Sequence, residues 1–185
     1  MKTFIEIGAC DFDTCLPLAE NGWAGILVEP VREISDNLVK QTIKYGFVKV
    51  LNMVVSDYDG EIDFHVSNGD GWAKGISSVA SSNHKGAKMF EIENGLNKKF
   101  LKETRRLQCI TLDTLIEDAK FTEIDLLKID AEGHETNIIE AYSWKVKPTM
   151  IKLEHAHIDD INMKRILEEQ GYIVWTEQND MYAIC

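Results

Sequence analysis

The chain has no Cys-x-x-Cys pair, only three prolines in 185 residues, no apolar run of membrane-spanning length and no excess of positive charge. Each absence removes a class of function. Cys10, Cys15, Cys109 and Cys185 stand too far apart in sequence to encode a zinc knuckle or a dithiol redox centre. Reduced thiols in a cytoplasm are the expectation. Acids outnumber Lys and Arg by 31 to 20, a formal net charge of −11. That balance speaks against nucleic acid as a partner, because phosphate contacts need a basic face. Glu6 and Asp11 break up any signal-peptide core, and nothing approaches the roughly 20 apolar residues of a membrane helix. Membrane insertion is therefore not expected.

What remains is an ordinary globular composition, 44% hydrophobic and 28% charged, enough for one domain spanning residues 1–185. Short apolar runs alternate with helical spacing. Strands are predicted at 4–7, 25–29, 48–55, 124–129 and 149–154. A helix with Pro17 in its first turn fits 14–21. Val31, Ile34, Leu38 and Tyr45 predict a second helix, ended by Gly46. Ile62, Phe64 and Val66 alternate with polar residues behind the turn Asp57–Gly60, as a hairpin partner of the preceding strand would. Thr111 caps a short helix, and further helices fit 135–142 and 160–170. Tyr172–Trp175 and Met181–Ile184 form a closing antiparallel hairpin. The fold class is α/β, a mostly parallel sheet covered on both faces with an antiparallel hairpin at its C-terminal end.

Residues 67–106 break this rhythm. They hold five glycines, serines at 77–82 and a basic cluster of Lys85, Lys88, Lys98, Lys99, Lys102, Arg105 and Arg106. A connection this long in a compact domain is expected to be a lid or substrate segment. The cluster reads first as a solvated face, with a local anion site as the alternative. Trp72 is either a lid aromatic or a core anchor.

The first strand runs into Glu6-Ile7-Gly8-Ala9-Cys10-Asp11. Gly8 lets the backbone turn sharply and a ligand come close. A dinucleotide fold needs Gly-x-Gly-x-x-Gly, so that pyrophosphate meets a bare helix N-terminus. Here Cys10 and Asp13 replace the later glycines, and the acids at 6, 11 and 13 repel phosphate. A cationic ligand such as S-adenosyl-L-methionine is favoured. Glu29, before Pro30 at the end of the second strand, is placed to accept both ribose hydroxyls. Ser56 and Asp57 end the third strand, where they either meet the adenine edge or serve the turn to Gly60.

Phe4–Ala9, Val28-Glu29-Pro30, Ser56–Gly60, Thr111-Leu112-Asp113, Leu126–Glu135 and Leu153-Glu154-His155 together resemble the FkbM-type methyltransferases, in order and over nearly the whole chain. Lys128-Ile129-Asp130-x-Glu132-Gly133-x-Glu135 is the most specific element. The resemblance implies a Rossmann-like class I fold, S-adenosyl-L-methionine as cofactor, and methylation of a hydroxyl on a sugar, glycan or small natural product. It also implies that Ser77 and Ser78 lie near the cofactor. The family's first loop usually reads Gly-Ala-Asn-x-Gly, so Gly8-Ala9-Cys10-Asp11 must approach the cofactor differently. The chain begins almost at the first strand, so substrate closure is expected to fall to 67–106 or to a partner subunit of a homo-oligomer.

The candidate cofactor residues are thus Glu6, Gly8, Ala9, Cys10, Asp11, Glu29, Pro30, Ser56 and Asp57. Asp130, Glu154 and His155 are the catalytic candidates. Asp130 stands at the cleft mouth, to bind the methionine amino group, orient an acceptor hydroxyl or take its proton. Histidine as a side chain suits a general base near neutrality, which favours His155, and His157 reads as a solvated loop residue. Lys128 and Lys152 repeat a Lys-x-acid spacing on neighbouring strands and are expected to neutralise Asp130 and Glu154 in a cross-strand ion network. With that neutralisation, Asp130, Glu154 and His155 are not expected to hold a metal. Glu135 reads as a first-turn acid favoured by the helix dipole. Two rival readings stay open: a nucleotide-sugar or dinucleotide enzyme, disfavoured by the missing glycine fingerprint, and a cofactor-binding module without catalysis.

Overall fold

A computed structural model describes residues 1–11, 15–67, 75–80 and 101–185, the side chains of 101 and 102 excepted. Trp72, Asp13 and the lysines at 85, 88, 98 and 99 lie outside the described residues, as does the Lys102 side chain. In chain order the elements are β1 (Thr3–Ile7), α1 (Leu16–Glu20), β2 (Ala24–Val28), α2 (Arg32–Thr42), β3 (Val48–Leu51), β4 (Val54–Ser56), β5 (Gly60–Ser67) and β6 (Ser78–Val79). They continue with β7 (Leu101–Thr111), α3 (Leu112–Ala119), β8 (Leu126–Ile129), α4 (Glu135–Ala141), β9 (Met150–Glu154), α5 (Asp160–Glu169), β10 (Ile173–Glu177) and β11 (Asp180–Ile184).

The main sheet has seven strands in the order β3-β2-β1-β8-β9-β11-β10. All neighbours are parallel except those of β11, which runs antiparallel to β9 and β10. The expected α/β sheet and its C-terminal hairpin are therefore both present. β1 and β2 are central and covered on both faces, which is why Phe4, Ile5, Leu27 and Val28 are all fully buried. The strand order reverses at β1, where β2 lies on one side and β8 on the other. Open α/β sheets leave a crevice at that point, outside the strands' carboxyl ends.

The helices begin and end as their sequences dictate. Thr111 accepts a hydrogen bond from the Thr114 N–H at 3.1 Å, and Asp159 does the same for Asn162 at 3.1 Å. Gly171, at φ +84°, follows α5 as the left-handed residue that closes it. Helix α2 ends at Thr42 rather than near Gly46. The Thr42 hydroxyl donates back to the carbonyls of Leu38 and Val39, the local bonding by which threonine competes with helix continuation.

A second sheet, β4-β7-β5-β6, departs from the sequence reading. The single strand expected at 48–55 is two strands in different sheets. Asn52 separates them, its side-chain amide donating to the carbonyls of Glu29 and Pro30, both at 2.9 Å. Ile62, Phe64 and Val66 do alternate as buried residues, but β5 pairs with β7 and β6 and not with the strand before the turn. Residues 101–106, read as part of an irregular segment, belong to β7. Their charges masked the strand: Glu103, Arg105 and Arg106 form ion pairs with one another or with Glu33, Glu61 and Asp63.

Gly25 sits under the Phe4 ring, and a Cβ there would lie 2.2 Å from the ring. Gly25→Ala is expected to lower stability by ~1–3 kcal/mol, the usual cost of overpacking a filled core. A lower urea midpoint with an unchanged slope would show it.

Candidate active site

The crevice at the sheet's switch point is built on one close contact. Gly8 follows β1 at φ +74°, and a Cβ on it would lie 1.7 Å from the Asp130 carbonyl oxygen. Only glycine allows the ends of β1 and β8 to meet there. The Gly8 and Ala9 N–H groups both donate to the Val28 carbonyl at 3.0 Å, which turns the loop towards β2. Cys10 then adopts φ +46°, a left-handed conformation uncommon outside glycine, asparagine and aspartate.

Glu29 holds that conformation in place. One carboxylate oxygen accepts the Cys10 N–H at 2.9 Å and the other accepts the Val31 N–H at 2.7 Å. The side chain is only 4% exposed. Burial pushes its pKa from the ordinary 4.5 up to about 7, against the two N–H bonds that favour the charged form. Each carboxylate oxygen has a second lone-pair direction, so Glu29 can accept ligand hydroxyls while keeping the loop fixed.

Beneath the crevice lies a buried ion pair. Glu6, fully buried, accepts from Lys128 Nζ at 3.0 Å and from the Cys15 N–H at 2.8 Å. Lys152, on the adjacent strand and in register with Lys128, pairs with Asp180 at 2.9 Å. The sequence assigned these lysines to Asp130 and Glu154. The structure gives them ion pairs with Glu6 and Asp180 instead, because β1 stands directly beside β8 and β11 directly beside β9.

The turn after β8 carries the acids. Glu132 at φ +51° and Gly133 at φ +93° reverse the chain into α4. Glu135 is 1% exposed and staples this turn, accepting the Ala131 N–H at 2.6 Å and the Gly133 N–H at 3.0 Å. Its role is thus internal to the turn. Burial drives the Glu135 carboxyl up to about 8, opposed by hydrogen bonds from its own backbone N–H and that of Ala131. Glu132 is pushed up to about 9 by burial and then by Glu154, Asp130 and Glu135. Glu154, at the end of β9, rises to about 7 through burial, then through Asp130 and Asp180. Glu132, Glu154 and His157 can bring one ligand atom each within 4.8 Å of one another.

Of the sequence-predicted residues, Gly8, Ala9, Cys10, Glu29, Pro30 and Asp130 line one cleft, which also includes Glu132, His134 and Ser77. Glu6, Asp11, Ser56, Asp57, Glu154 and His155 do not line it. Ser56 is wholly buried; its hydroxyl donates to Asp57 at 2.9 Å and meets His134 Nε2 at 3.0 Å. Since the hydroxyl has one hydrogen, that geometry makes His134 the donor to Ser56 and ties the second sheet to the acidic turn. The His155 backbone N–H donates to the Asn179 carbonyl at 2.9 Å, and among the described residues the Nε2 of its ring is buried without a hydrogen-bond partner. His157, read as a solvated loop residue, is the histidine that joins Glu154. The sequence reading also missed His134 and the apolar wall of Met53, Val54, Val55, Phe64 and Val79. The alternation at 62–66 signalled a buried face; what it covered was not legible.

The family model described as the methyltransferase FkbM domain matches residues 6–174. None of the curated proteins matches the chain. Among solved structures, the METTL16 MTase domain is 13% identical, with 99% of this chain and 58% of that chain covered at a TM-score of 0.50. A precorrin-6y C5,15-methyltransferase from Geobacter metallireducens GS-15 is 12% identical, with 99% and 79% covered at a TM-score of 0.49. The likeness to the METTL16 domain is one of fold.

The buried pair generates a stability prediction. Lys128→Met strands the Glu6 carboxylate without its cation and should cost about 3–5 kcal/mol near pH 8. The double variant Glu6→Leu, Lys128→Met should recover most of that loss. Equal losses in the single and double variants would mean that the cation is not what stabilises Glu6.

Proposed function

The chain belongs to the FkbM methyltransferase family, and on that premise we propose that it is an S-adenosylmethionine-dependent O-methyltransferase acting on a hydroxyl of a sugar, glycan or small natural product. The observation that carries the cofactor assignment is Glu29: a buried carboxylate on the cleft wall, beside the bare Gly8–Cys10 turn. A pair of ribose hydroxyls suits such an acid, and a pyrophosphate does not. The apolar wall from the second sheet suits an adenine ring. Asp130, at the end of β8, can receive the cationic methionine end.

When bound, S-adenosylmethionine supplies a methyl group on a sulfonium. The acceptor oxygen forms its bond to that carbon as the carbon–sulfur bond breaks, and the hydroxyl proton must leave. The protein's part is alignment and proton acceptance, since an in-line displacement gains most from held geometry. Carboxylates and an imidazole crowd the side of the cleft away from Glu29, and such groups accept hydrogen bonds from sugar hydroxyls. Burial raises the Glu154 carboxyl to about 7, which suits it to take up a proton near neutrality.

Calorimetry with S-adenosylhomocysteine tests the reading. Glu29→Ala should weaken binding at least tenfold, or about 1.4 kcal/mol. No heat of binding at millimolar ligand would sink the assignment. Transfer of tritiated methyl groups from S-adenosylmethionine to mixed glycans should give an oxygen-linked product; transfer only to amines would overturn the hydroxyl specificity.

Glu29 also sets a pH dependence. Its folded pKa is raised, so the stability it contributes is present below 4.5 and lost as pH rises through about 7. Ribose hydroxyls donate to the ionised carboxylate, so affinity should run the opposite way, rising between pH 6 and 8. Glu29→Gln should flatten that rise; a rise that survives the substitution would assign it to another group.

A further inference from the structure

We infer that Glu132, Glu154 and His157 form a divalent cation site at the edge of the cleft, opposite the Glu29 wall. Three observations point there. Ligand atoms sharing one ion at roughly 2.0–2.2 Å stand at most about 4.4 Å apart, and these three approach within 4.8 Å of one another. Three atoms spread evenly round one ion at that distance stand about 3.3–3.8 Å apart, so side-chain movement of about an ångström closes the set. Glu154 Oε2 is buried and, among the described residues, accepts no hydrogen bond, although a covered carboxylate oxygen needs a donor or a cation. Finally, Lys152, expected with Lys128 to neutralise Asp130 and Glu154, has its ion pair with Asp180. The ion pair of Lys128 goes to Glu6, and no Lys or Arg among the described residues forms an ion pair with Glu132 or Glu154.

Two carboxylates and one imidazole suit manganese or zinc better than an all-oxygen magnesium site. Three protein ligands leave further positions for water or a ligand oxygen. Glu132 also lines the cleft, next to Asp130, so those positions are within reach of an acceptor. An acceptor hydroxyl bound there would lose its proton more readily, the ion acting as a Lewis acid. That use rests on the methyl-transfer reading, whereas the site itself does not.

The test uses the full chain and the metal alone. Titration of Mn²⁺, followed by the electron paramagnetic resonance of the free ion, should reveal one saturable site, with Zn²⁺ competing. Glu154→Gln and His157→Ala should each weaken Mn²⁺ binding at least tenfold, while Glu117→Gln, on an exposed part of α3, should leave it unchanged. Circular dichroism of each variant reports its folding, so weakened Mn²⁺ binding in a folded variant reads as the loss of a ligand. Absence of saturable binding at millimolar Mn²⁺ and Zn²⁺, or undiminished binding in both site variants, overturns the inference. Because no S-adenosylhomocysteine is present, failure here leaves the cofactor assignment standing, and failure there leaves the metal result readable.

Discussion

Everything in the cleft depends on the contact between Gly8 and the Asp130 carbonyl. It brings the end of β1 against the end of β8 with no side chain between them. The consequences pass outward in both directions. On one side the freed loop turns towards β2 and offers the Cys10 N–H to Glu29. On the other side, Asp130 is fixed at the cleft mouth, and the acidic turn that follows is bound to α4 through Glu135. A single missing methyl group therefore sets the distance between the two walls of the cleft.

The carboxylates divide into two layers with different electrostatics. Below the cleft, Glu6 and Asp180 have lysines and act as internal struts between neighbouring strands. At the rim, burial raises the proton affinity of Glu132 and Glu154 most, and neighbouring carboxylates, Asp130 in both cases, add to it. Buried like charges without a cation are costly, so the rim is a part of the molecule where charge is held in readiness for a ligand. Glu29 belongs to neither layer: backbone N–H groups hold it, and among the described residues no cation pairs with it.

The main sheet was legible because its signals are local: apolar runs, a capping threonine, a proline in a first turn, and a glycine behind the last long helix. The nearness of Gly8 to Glu29 was legible for the same reason, since they follow two successive strands that lie side by side. What stayed hidden involved partners remote in sequence. Lys128 finds Glu6 across 122 residues, and no spacing rule links those positions. β7 was masked by arginines and glutamates that neutralise one another on an exposed ladder. The choice between His155 and His157 turned on which way the chain leaves β9, and two residues of irregular backbone carry no periodicity from which to read it.

The second sheet has a topological consequence. It departs from the main sheet at Asn52, and the chain rejoins the main fold at Thr111, and these two points are fastened side by side. Ser56 pairs with Thr111 between strands, and Asp59 binds the Thr111 N–H at 2.7 Å and the Thr114 hydroxyl at 2.9 Å. A segment whose ends are clamped together can change length cheaply, each doubling costing only about 0.6 kcal/mol of closure entropy. The clamp thus turns residues 57–110 into an exchangeable cassette. Phe64, Ser77 and Val79 within it wall the cleft, whereas Gly8, Glu29 and Asp130 follow strands of the main sheet.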